Sequence, residues 1–150
     1  MIYLDSGATT LQKPPMVAYR VQSAMRSCAT PGRGGHAPAM RAAEAVYDCR
    51  VLAGQLFDAP PEQVGFTMNA THALNLAIKT LVRPGERVVI SGFEHNAVTR
   101  PLYHIGAEIS IAGTRLFDPE DTIESFRKAV TADTKAVVCT HVSNVFGYIL

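Results

Sequence analysis

Three short clusters hold the residue types that do chemistry: Asn69-Ala70-Thr71, the run from Ser91 to Asn96, and His141-Val142-Ser143-Asn144. Ala70 and Thr71 open the helical pattern "THALNLAIKTLV", so the N–H groups of Ala70, Thr71 and His72 begin a helix without partners inside it. With the Thr71 hydroxyl and the helix dipole they make a site suited to an anion, phosphate above all. Simple capping of the helix by Asn69 or Thr71 explains the same residues. His95 brings a flat ring and a nitrogen able to take part in proton transfer. Beside it Glu94 reads as a flanking charge, and Asn96 starts the next helix. Asn144 brings an amide donor, or serves as a turn residue. "PGRGGH" lacks both the preceding strand of a dinucleotide fingerprint and the lysine of a P-loop, so its glycines read as a tight loop.

The elements that must position these clusters follow from hydrophobic spacing. Pro14 and Pro15 open a helix that directs Met16, Val17, Val21 and Met25 to a core, and "CATPGRGGHAP" is a loop. A second helix runs from Pro38 to Phe57 on Met40, Ala43, Val46, Tyr47 and Leu56. The pattern then changes to alternation. "VGFTM", "RVVISGF", "AEISIAG" and "KAVVCTHV" read as strands, separated by helices at "THALNLAIKTLV", "NAVTRPLYHIG" and the acid-started "DPEDTIESFRKAV". Near-continuously apolar strands alternating with helices predict a mainly parallel α/β sheet covered on both faces. In such a sheet ligands sit beyond the carboxyl ends of the strands, where all three clusters fall.

The 150 residues, 47% hydrophobic with a net charge of +1, suffice for one domain and give no electrostatic reason to expect nucleic acid or membrane as partner. "MIYLDSGATT" has no signal-peptide pattern, which places the chain in the cytoplasm. Cys28, Cys49 and Cys139 lack zinc-site spacing, so no metal site and no disulfide framework is expected. Cys49 and Cys139 read as small buried hydrophobes.

Taken in order, "IYLDSGATT", "TPGRGGH", "NATHALNLAIK", "EHNAVTRPL" and "THVSNVFGYIL" resemble the landmarks of the cysteine desulfurase branch of the class V aminotransferase family, which depends on pyridoxal 5'-phosphate. The resemblance implies the amino-terminal part of a fold type I cofactor-binding domain. Residues 1–60 would supply the N-terminal helices and loop, and residues 61–150 the βαβ sheet region. It assigns Ala70 and Thr71 to the cofactor phosphate, His95 to stacking on the pyridine ring and to catalysis, and Asn144 to the ring's phenolic oxygen. The implied reaction converts L-cysteine to L-alanine with sulfur passing through an enzyme persulfide to an acceptor protein, in a homodimer. Another class V activity, aminotransferase or lyase, and a non-catalytic self-associating fragment are the alternatives.

Two departures stand out. The opening reads Asp5-Ser6-Gly7-Ala8-Thr9-Thr10 where the family often has Asp-Asn-Ala-Ala-Thr-Thr, and His72 stands where a glutamate is common. The family's cofactor-bonding lysine, pyridine-facing aspartate, mobile cysteine and substrate arginine belong to later blocks. Lys13, Lys79, Lys128 and Lys135 lack the lysine's Ser/Gly-His-Lys context and read as solvated. The expectation is an amino-terminal portion that is inactive alone.

Overall fold

The computed structural model describes residues 2–7 and 9–150, so Ala8 of the first landmark lies outside the described residues, as does Met1. The chain divides into two compact units, the first ending at Phe66 and the second beginning at Thr67.

The first unit is helical. Helix α1 (Pro15–Ser27) starts behind Pro14, and α2 (Ala37–Phe57) is capped by His36 and ends at Asp58 in the left-handed region. Met16, Val17, Val21 and Met25 were expected to face a core, yet all four are exposed, Met25 by 81%. Met40, Val46, Tyr47 and Leu56 are exposed as well. Two helices and a loop offer too little surface to cover both apolar stripes.

The second unit carries the sheet. Helix α3 (Ala70–Leu81) leads into β1 (Arg87–Ser91), followed by α4 (Asn96–Ile105), β2 (Glu108–Ala112), α5 (Pro119–Ala129) and β3 (Thr134–Val138). The three strands are parallel in the order β2-β1-β3, with Ile90 opposite both Ile111 and Val138. The connection through α4 steps one way from β1, and the connection through α5 crosses back. Right-handed crossovers in opposite directions put the two helices on opposite faces. Ile78, Val82, Val88, Ile90, Val98 and Leu102 form the core between α3, β1 and α4. Side chains such as Val88 and Leu102, fully buried there, stabilise the unit by about 1.5–3 kcal/mol each.

Local chemistry fixes the ends. Gly106 stops α4 in the left-handed conformation at φ 78°, and Asp118 caps α5 by accepting from the Asp121 N–H at 2.9 Å. Glu120 and Asp121 then occupy the first turn of α5, with Arg127 and Lys128 in its last, matching the helix dipole. One expected strand is absent: residues 64–68 are not in a sheet. They straddle the boundary between the units, and among the described residues no strand pairs with them. β-prone composition without a ladder partner does not make a strand.

Candidate functional site

Because the strands are parallel, Ser91, Ala112 and Val138 end on one edge of the sheet. Helix α3 runs antiparallel to the strand it feeds, which brings its N-terminus to that same edge. Asn69 precedes it in extended conformation, and its side-chain oxygen accepts from the His72 N–H at 2.9 Å, while its carbonyl accepts from Ala73 at 3.1 Å. The His72 N–H expected to be free is therefore taken by the cap. The N–H groups of Ala70 and Thr71 meet no acceptor among the described residues, nor does the Thr71 hydroxyl. Three donors at a positive helix end are thus open to an anion.

His95 begins α4 as its cap, with Nδ1 accepting from the Ala97 N–H at 3.0 Å. That bond requires an unprotonated Nδ1, so the neutral ring carries its hydrogen on Nε2, the nitrogen left for a ligand. Thr71 and His95 line one cleft of about 540 Å³ between α3 and α4. Asn75 and Lys79 extend its wall along α3, and Arg100 and His104 along α4. Among the described residues no carboxylate lines it, so its field favours a negative group. Sequence reasoning missed these wall residues, although Thr71-Asn75-Lys79 and Asn96-Arg100-His104 repeat at the four-residue spacing of one helix face.

Asn144 does not line this cleft. It occupies the exposed tip of a hairpin beyond β3, closed by Ser143 N–H to the Tyr148 carbonyl at 2.8 Å and Leu150 N–H to the His141 carbonyl at 3.0 Å. The Ser143 hydroxyl accepts from Val145 and Phe146 N–H at 3.3 Å and shapes the turn.

Glu94, expected to be a flanking charge, is instead half-buried and bonded. Its Oε1 accepts from the Ser91 hydroxyl at 2.6 Å and from the Thr140 N–H at 2.6 Å. A carboxylate in that place satisfies groups that the sheet ladder leaves behind. Cys49 and Cys139, expected to be buried, are exposed. Cys139 stands just beyond β3, where partial burial and then the Glu94 charge push its thiol pKa up.

A parallel sheet with helices on both faces, an open helix start and a histidine at its carboxyl edge has the architecture of part of the large domain of fold type I transferases. The family model for aminotransferase class V matches residues 2–150, and the chain belongs to that family of pyridoxal phosphate enzymes. It is 30% identical to a probable cysteine desulfurase of Aeropyrum pernix over 99% of its own length, and 34% identical to the cysteine desulfurase IscS of Shewanella sediminis over 99%. It spans 38% and 39% of those two relatives' lengths. Among solved structures, a NifS-like protein superposes with a TM-score of 0.81 at 20% identity, covering 95% of this chain and 41% of that one. The cysteine desulfurase of Thermococcus onnurineus gives 0.74 at 24%, covering 95% and 37%.

Proposed function

We propose that the chain is the amino-terminal part of a pyridoxal phosphate-dependent cysteine desulfurase, acting in the cytoplasm on L-cysteine to give L-alanine and a persulfide for a sulfur-accepting protein. The observation that carries this reading is the pairing, in one cleft, of the open α3 start at Thr71 with the ring of His95. The residues fit the cofactor. Ala70 and Thr71 would hold its phosphate through two N–H groups and a hydroxyl, His95 would supply a flat face and an Nε2–H to its ring, and Asn144, at the hairpin tip outside this cleft, would supply an amide to the phenolic oxygen. When bound, the cofactor supplies an electron-poor ring that stabilises carbanion character at the substrate's α-carbon. Bound there, His95 would hold or move a proton through Nε2. The exposed apolar stripes of α1 and α2 support self-association, in line with a homodimer.

The test titrates the chain with pyridoxal phosphate, following absorbance and 31P NMR, with inorganic phosphate as competitor. Saturable binding that phosphate displaces, and that both Thr71→Val and His95→Ala weaken, is the expected result. Binding indifferent to both substitutions would remove the cofactor from this cleft. Supplying the relatives' additional length in the same polypeptide should then give cysteine-dependent sulfide and alanine. Amino-group transfer without sulfide would move the assignment to another class V activity.

A further inference from the structure

Glu94 joins two places that the proposed cofactor needs together. Its one oxygen, Oε1, accepts from Ser91 at the end of β1 and from Thr140, two residues past the end of β3, both at 2.6 Å. Ile90 and Val138 are the last pair between those two strands, so their ladder has already stopped where Glu94 takes hold. Next to it, the ring of Phe93 meets Phe146 edge-on at 6.2 Å between centroids and Tyr148 at 5.9 Å, both in the hairpin whose tip is Asn144. On its other side is His95, whose own direction is set by the α4 cap. The turn after β1 therefore grips the hairpin at its base and near its tip while delivering His95.

We infer that Glu94 is a positioning residue, which holds His95 and the Asn144 hairpin in fixed register so that both reach one cofactor ring. This rests on the cofactor reading above. Glu94 acts through its neighbours and touches neither phosphate nor ring. An anionic acceptor serves because two donors must share one oxygen, and charge-assisted bonds are short and strong. Glutamine keeps an oxygen able to accept both bonds, whereas alanine removes it.

The experiment compares the 150-residue chain with its Glu94→Gln and Glu94→Ala variants in three measurements: pyridoxal phosphate affinity, inorganic phosphate affinity, and hydrogen exchange at the Thr140 amide. Losing bonds to a charged group should speed Thr140 exchange about tenfold or more in Glu94→Ala and weaken pyridoxal phosphate binding about tenfold, with phosphate affinity within about twofold. Glu94→Gln should stay within about threefold of the parent in all three. Faster exchange with unchanged pyridoxal phosphate affinity would reduce Glu94 to a strand-end satisfier and overturn the inference. So would an equal loss of phosphate affinity, which signals general damage. Failure of the unsubstituted chain to bind pyridoxal phosphate at all would sink the cofactor reading instead. The register is then judged by the nuclear Overhauser contact between Phe93 and Phe146, which Glu94→Ala must weaken and Glu94→Gln must keep.

Discussion

Gly92 and Gly113 touch through their backbones: the Gly92 N–H donates to the Gly113 carbonyl at 3.1 Å, and a Cβ on Gly92 would stand 2.7 Å from that oxygen. The turns after β1 and β2 approach this closely because Gly92 has no side chain. Gly92→Ala should therefore push the two turns apart and destabilise the fold by roughly 1–3 kcal/mol, the usual range for overpacking. Urea unfolding monitored by circular dichroism reads this as a lower midpoint. An unchanged midpoint would show that the turn has slack, and the placement of His95 three residues further on would lose its rigid support.

Thr71 contributes a hydroxyl at the α3 start beside N–H groups that no substitution removes. Thr71→Val keeps the shape and deletes the hydroxyl, so phosphate and pyridoxal phosphate should both bind about tenfold more weakly, the value of one hydrogen bond to a charged group. Calorimetric titration at fixed ionic strength measures it. A loss confined to pyridoxal phosphate would place the phosphate elsewhere.

The helices were legible because their signals are local: Pro15 at the start of α1, Asp118 with Glu120 and Asp121 at α5, and Gly106 at the end of α4 all act within a turn of themselves. Three of the four expected strands were legible for the same reason. Residues 64–68 carry the same composition and form no strand, since pairing depends on a neighbour that composition does not specify. Thr71 and His95 were singled out from their position relative to a strand or helix end, and the structure brings them to one cleft. Glu94 was not recognisable, because its second partner lies 46 residues away in sequence and becomes adjacent only through the parallel pairing of β1 with β3.

Cys139 gives a pH-dependent reading of the same corner. Partial burial and the Glu94 charge both disfavour its thiolate, so its pKa lies above the ordinary thiol value. The thiolate is the reactive form, and at any pH below that pKa less of it is present than in an unfolded chain. Alkylation of Cys139 by iodoacetamide, in a Cys28→Ser/Cys49→Ser background, should accordingly rise with pH later in the folded protein than in urea. Glu94→Gln removes the smaller of the two causes, so the profile should move down in pH and the rate near neutrality should rise. Overlapping folded and unfolded profiles would show that neither burial nor Glu94 acts on this thiol.

His95 has two duties that substitution can separate. Its Nδ1 caps α4 and its ring lines the cleft. Asparagine is a strong cap without an aromatic ring, phenylalanine a flat ring without a cap, and alanine has neither. Loss of a cap costs typically about 1 kcal/mol, so Ala and Phe should both lower the denaturation midpoint while Asn preserves it. Pyridoxal phosphate binding should follow the other order. Phe should keep much of the affinity and the absorbance change of the bound ring, whereas Asn and Ala should lose them together. Inorganic phosphate, held at Ala70 and Thr71, should bind all three variants alike. Turnover, measured in a polypeptide with the relatives' additional length, should fall by roughly a hundredfold or more for Phe as well as Ala, because neither side chain carries a proton at Nε2. If Asn matches the parent in cofactor affinity and spectrum, capping is the whole role of His95, and the ring of the cofactor is stacked by some other residue.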